Sequence, residues 1–249
     1  MPFPVPNVIQ AHAGDIRKVP ERNWNHIVMK VRNLGAQQLL VVWPLLDANL
    51  FNHTQNASAQ LLDVFVLSME WAEVPYGHLC EMRDFMAGHA AQHCAAAKLV
   101  VLQDFGAAYN AFHQMGVPHL PPAALSHYLH AISLNAGHLE SPLPYGQKVV
   151  RALWKSQTAK EDVAALAVQK DWRQYLTASH IADADGNVLN GWEIAAYGEY
   201  QSLMKSWAGQ LNCQPMQIEI WLETNADSLD VMPACDVELL TSVLGMLEI

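Results

Sequence analysis

Helix breakers constrain this chain more than any other feature. Pro75 and Gly77, then Gly116, Pro118, Pro121 and Pro122, then residues 141–146, interrupt long segments rich in Ala, Leu, Met and Gln. Those four residue types favour helix, and the breaks divide it into separate rods. The spacing predicts helices over 21–34, ending near Gly35, and over 36–51, interrupted at Pro44. Others are predicted over 59–73 with Ser58 as cap, and over 78–109, where Gly88 and Gly106 bend or split the helix. A further helix spans 123–135, with Gly137 just past its end, followed by helices at 147–157, 160–179, 192–211 and 236–248. Two β signals interrupt the pattern. Asp185-Gly186 is a hairpin-turn dipeptide, and Met216–Leu222 alternates apolar residues with Gln, Glu and Trp, as a strand would. The expected fold is mainly α: a single helical-bundle-like domain over 1–249, with a minor β hairpin or strand element in the C-terminal third. A weak subdivision falls near 141–146, but no linker there is long enough to make two domains the better reading.

Hydrophobic residues make up 51% of the chain and charged residues 15%, which implies a large buried surface or a face covered by a partner. The formal net charge is −10, which argues against non-specific nucleic-acid binding and against docking on anionic lipid. A basic partner protein remains compatible. The charge is uneven. Residues 1–32 carry Arg17, Lys18, Arg22, Lys30 and Arg32, whereas nothing after Lys205 is basic. That acidic tail either folds back on the N-terminal segment or binds a cationic partner. Cys80, Cys94, Cys213 and Cys235 have no C-x-x-C spacing, and Met1-Pro2-Phe3-Pro4 does not resemble a secretory leader. Two glycosylation sequons, at Asn52 and Asn56, read as chance matches in a reduced, cytoplasmic protein. The apolar run 39–46 is too short to span a bilayer.

Eight of the twelve histidines lie between His78 and His138, and from Asn33 to Gln147 only Arg83 and Lys98 are basic. On one continuous helix His78, His89 and His93 fall within roughly 60° of each other, and His89 and His93 sit one turn apart. His127 and His130 share a face of the next helix, and Glu70 and Glu73 end the preceding one. Helical bundles build metal sites by aiming such groups inward from neighbouring rods. The expected metal ligands are therefore His89, His93, His127 and His130, with Glu70 and Glu73 as catalytic carboxylates. The ion would be iron, zinc or manganese. Neither a Glu-x-x-His pair nor His-Glu-x-x-His occurs among these residues, and the same histidines would serve equally as hydrogen-bonded core residues.

Other motifs are weaker. Asp183, Asp185, Gly186 and Glu193 are spaced wrongly for a calcium loop, because Trp192 stands where its last glutamate belongs. No G-x-S-x-G elbow and no phosphate loop is present. Cys94 and His93, neighbours on a helix, point about 100° apart and make a poor nucleophile–base pair. Val237, Leu240, Val243, Leu244 and Leu247 form an apolar stripe that is either core or a docking surface. Two functions follow. One is a metal-dependent enzyme with a His/carboxylate site in a bundle, either a non-haem-iron-type oxidoreductase or a zinc-type hydrolase. The other is a non-catalytic acidic binding protein of the immunity, inhibitor or adaptor type that recognises a basic partner protein. Neither involves nucleic acid or membrane.

Overall fold

The computed structural model describes residues 4–22, 54–138, 141–156, 174–188 and 194–231. The helices expected at 36–51 and 236–248, and most of those expected at 21–34 and 160–179, lie outside these residues. The fold is helical. Its described elements are α1 (Asn7–Ala11), α2 (Ala13–Ile16), α3 (Thr54–Trp71), α4 (Tyr76–Gly88), α5 (Ala90–Val101) and α6 (Phe105–Met115). They continue with α7 (Pro122–Asn135), α8 (Gln147–Lys155), α9 (Ile194–Leu211), α10 (Pro215–Asn225) and a 3-10 turn at Ser228–Val231. Among the described residues no helix is long and apolar enough to cross a membrane.

The boundaries have local causes. Asp104 caps α6 by accepting a hydrogen bond from the Ala107 amide at 3.1 Å. Gly116 ends the same helix at φ 65°, a left-handed conformation that a residue with a Cβ adopts reluctantly. Pro121 and Pro122 open α7, where a missing amide proton does no harm. The segment 78–109, expected to bend or split at Gly88 and Gly106, is split into three helices. Its first break falls at His89, whose φ and ψ of −113° and 33° leave the helical region, and its second at 102–104.

The described residues form two compact units. The first contains 21–22, 54–138, 141–146 and 194–201. Here α3 packs against α4, α5 and α7, while α5 also meets α6 and α7. Helix α7 carries no charged residue, and nearly all of it is buried, including Ser126, His127, His130, Ser133 and Asn135. A helix buried all round is normally apolar all round, so five buried polar side chains on one rod mark it as unusual. The core beside it is aromatic: Phe65, Phe112 and Tyr128 meet edge to face at 5.1–5.4 Å.

The second unit contains 4–20, 147–156, 174–188 and 202–231. In it α10 packs on α8 and on α2. Among the described residues there is no strand, so the expected β element is corrected to helix and loop. Met216–Leu222 lies inside α10, which opens with a reciprocal capping box between Gln214 and Gln217 and with Pro215 in its first turn. Met216, Ile218, Glu219, Trp221 and Leu222 are its buried residues, separated by three and four positions as on a helix face, and the period-2 alternation was incidental. Asp185-Gly186 turns without a hairpin. The Asp183 carboxylate instead accepts the amides of Asp185 at 2.9 Å and Asn187 at 2.8 Å. Those bonds hold that carboxylate below the usual range and commit it to its own loop.

Candidate functional site

The unusual polar content of α7 gathers around one indole. Trp71, the last residue of α3, is 3% exposed. The Arg22 guanidinium lies over its ring at 4.8 Å from the centroid. The His127 ring meets Trp71 edge to face at 4.4 Å, and the His130 ring lies tilted at 5.8 Å. The ring is thus bordered by a cation and two imidazoles.

The imidazole tautomers follow from their partners. His127 donates from Nδ1 to the Ala123 carbonyl at 2.7 Å. His130 donates from Nδ1 to the Pro142 carbonyl at 2.7 Å, with the Ser141 hydroxyl 2.8 Å from the same nitrogen. A carbonyl only accepts, so in each neutral ring Nε2 carries the lone pair. The Nε2 of His130 is buried with no hydrogen-bond partner. Burial, reinforced by the Arg22 charge, holds His130 well below its ordinary pKa, so it stays neutral. At His130 the site therefore presents an acceptor nitrogen rather than an imidazolium donor.

Loop 141–146 forms the adjoining wall, fixed by a dense set of bonds. Ser126 Oγ accepts from the Tyr145 amide at 2.6 Å. Tyr197 donates to the Leu143 carbonyl at 3.2 Å and Tyr200 to the Pro144 carbonyl at 3.0 Å. The Gln201 amide both accepts from and donates to the Leu143 backbone at 2.9 Å. At the end of this loop a Cβ on Gly146 would stand 3.3 Å from His127 Cε1, so the chain approaches the imidazole closely only because the residue is glycine.

The expected metal constellation is not assembled. His89 sits at the break between α4 and α5, stacked on Phe85 at 4.0 Å and bonded through Nδ1 to the Phe85 carbonyl. His93 is buried elsewhere in the core, hydrogen-bonded to the Tyr128 hydroxyl, and desolvation lowers its pKa to about 4. His78 stacks on His119 at 4.2 Å, away from the stripe it was expected to join. Only His127 and His130 meet at one place. Among the described residues no group of three or more His, Cys, Asp or Glu could hold a metal ion. The physical reason is the break at His89, which ends the single helix on which the stripe depended. Glu70 lies on the last turn of α3, half-buried, and desolvation raises its pKa; its Oε2 is buried with no hydrogen-bond partner. Glu73 stands beyond the helix end at φ 58° and is exposed, so the two carboxylates do not share a helical face. Arg22, Trp71 and the 141–146 loop were not foreseen from the sequence. Their one signal was the uncharged stretch 122–135, which had to be buried and had to bring its histidines inside.

Residues 48–222 match the sequence profile of a family described as "putative 8-oxoguanine DNA glycosylase OGG-like protein". The chain belongs to that family. The match covers well over half of the sequence and contains Glu70, Trp71, His127, His130 and the whole 141–146 loop; Arg22 lies outside it. Neither a curated protein nor a solved structure matches the chain. Membership overturns three expectations: the metal-dependent oxidoreductase or hydrolase, the acidic protein-binding adaptor, and the exclusion of nucleic acid as a partner.

Proposed function

We propose that this protein is a DNA glycosylase that removes an oxidised purine, reading the base with the Trp71–His127–His130 cluster. The family match over 48–222 carries the proposal. Enzymes that cut the base from its sugar take the nucleotide out of the stack and hold the base by ring contacts and edge hydrogen bonds. Trp71 supplies the ring, His127 borders it, and His130 supplies an acceptor at a fixed position. The chemistry of the lesion suits them. Guanine offers a lone pair at N7, whereas oxidation at C8 places a proton there. An acceptor Nε2 bonds that N–H and repels the lone pair of the undamaged base, and sites that discriminate by a hydrogen bond do so strongly.

Bond cleavage assigns a role to Glu70. The C1′–N9 bond breaks with its electron pair passing to the base, which takes up a proton. Water adds to C1′ and gives its proton to the carboxylate. The sugar is cation-like in between, and a nearby carboxylate stabilises it. A half-buried, partly desolvated carboxylate has its pKa shifted upward, as a general base requires. The test is release of free base from a duplex with one 8-oxoguanine. Wild-type protein is expected to release it, with Glu70→Gln slower by about 10²-fold or more while still binding the duplex. A wild-type protein that releases no oxidised purine refutes the activity; an unimpaired Glu70→Gln refutes the assignment of the carboxylate alone.

A further inference from the structure

The chain is acidic, yet its cations are not scattered. Of the nine lysines and arginines within the matched span 48–222, six lie between Lys148 and Arg173; Arg83, Lys98 and Lys205 are the others. The described part of this segment is α8, which contains no Asp or Glu. Lys148, Arg151 and Lys155 recur at i, i+3 and i+7, one face of a helix, while Val149, Val150, Ala152 and Leu153 are buried on the other. Lys148 and Arg151 are exposed.

The cationic face is also braced. Arg151 Nη2 reaches Asn187 Oδ1 at 3.5 Å, and Gln147 Nε2 donates to the same oxygen at 3.3 Å. Asn187 is held in turn by its amide bond to the Asp183 carboxylate at 2.8 Å. The Gln147 side chain accepts from the Val188 amide at 2.9 Å. A guanidinium steadied by a neutral amide keeps its full charge, in contrast to one spent on a carboxylate. The positive end of the helix dipole adds the same sign, with no acidic residue in the first turn to offset it.

We infer that this face of α8 is a phosphate-binding surface that holds the DNA backbone through Lys148 and Arg151. The inference rests on the reading that DNA is the substrate. It solves the problem that a chain of net charge −10 poses for binding a polyanion, because phosphate contacts respond to local charge and not to the total. Contacts of this kind position the duplex without reading its sequence.

The experiment is a salt titration of duplex binding by the full chain, read by fluorescence anisotropy, on DNA with and without 8-oxoguanine. K148Q/R151Q is compared with wild type and with K98Q/K205Q, which removes two exposed cations elsewhere. Each lost phosphate contact flattens the slope of log affinity against log salt by about 0.9. For K148Q/R151Q the slope is expected to flatten by about 1.8, with binding weaker on both duplexes, while K98Q/K205Q keeps the wild-type slope. Glutamine retains much of each aliphatic stem, and a thermal melt of each variant verifies the fold. An unchanged slope in K148Q/R151Q, or an equal change in K98Q/K205Q, overturns the phosphate surface. Wild-type protein that binds neither duplex at low salt overturns the DNA reading itself, a different result from either of these.

Discussion

Lowering the pH should unfold this protein through His93. Its ring is 1% exposed, between Phe65 and Phe112, and is hydrogen-bonded to the Tyr128 hydroxyl, which in turn donates to the Leu61 carbonyl at 3.4 Å. That order of donors places the His93 proton on Nε2 and leaves the buried Nδ1 without a partner for a second one. Protonation would put a charge into an aromatic core, and burial accordingly depresses the pKa from 6.5 to about 4. In the unfolded chain the same imidazole takes up its proton near the ordinary value. Between pH 6.5 and 4 the unfolded state therefore binds more protons, and stability falls as the pH falls through that window. The stabilisation is fully present above the unfolded value. A tenfold difference in proton affinity between the two states is worth about 1.4 kcal/mol, so His93 alone accounts for about 3 kcal/mol lost by pH 4. His130, depressed in the same direction, steepens the fall. The assay is urea unfolding at pH steps from 7.5 to 4.5 for wild type and His93→Phe. The variant should begin about 1–2 kcal/mol less stable at pH 7.5, because the Tyr128 hydroxyl loses its partner. It should also lose the His93 share of the pH slope. A His93→Phe protein with the wild-type slope would refute the reasoning.

Three further substitutions test particular contacts. Gly186 has φ 80°, and a Cβ there would meet Trp154 Cγ at 2.5 Å; Gly186→Ala should cost about 3 kcal/mol in urea unfolding, combining left-handed strain with overpacking. Ser126→Ala leaves the buried Tyr145 amide without its acceptor and should cost about 1–3 kcal/mol, detectable as a lower urea midpoint. Gly146→Ala has no positive φ to satisfy and only presses on His127 Cε1 at 3.3 Å. It should slow base release about tenfold while the urea midpoint stays within error, because a small misplacement of a binding group affects rate before stability.

Much of the helical layout was legible. The break at Pro75 and Gly77, Gly137 after α7, and the span of α9 all follow from residues whose backbone preferences are strong and local. What failed depended on longer range. The metal stripe needed one continuous helix, whereas the chain splits beside Gly88, where either a bend or a split was expected, and spacing alone could not choose between the two. In α10 a period of two over seven residues also fits a helix whose buried positions are 216, 218, 219, 221 and 222, and the capping glutamines decide it. Terminations through residues that rarely adopt positive φ, such as Glu73 and Gln103, leave no sequence signature.

The site illustrates the same division. His127 and His130 were picked out by spacing, and they do share a place, but spacing could not name their neighbours. The Trp71 ring and the Arg22 guanidinium reach them from residues at least 56 positions away along the chain (127 − 71 = 56). Bare spacing suggested a metal because two imidazoles one turn apart are a common ligand pair. The structure shows why they are not one. Among the described residues no third ligand joins them, and the nearest charge is the Arg22 guanidinium, which repels a metal cation. A neutral His130 acceptor beside an aromatic ring suits a hydrogen-bond donor on a planar base instead. Net charge misled in a parallel way. A total of −10 excluded nucleic acid only if the charge were spread evenly, and α8 shows that it is not. In both cases the chemistry is decided by which groups share a surface, so a sum over the chain or a spacing along it predicts function only where packing leaves neighbours in sequence as neighbours in space.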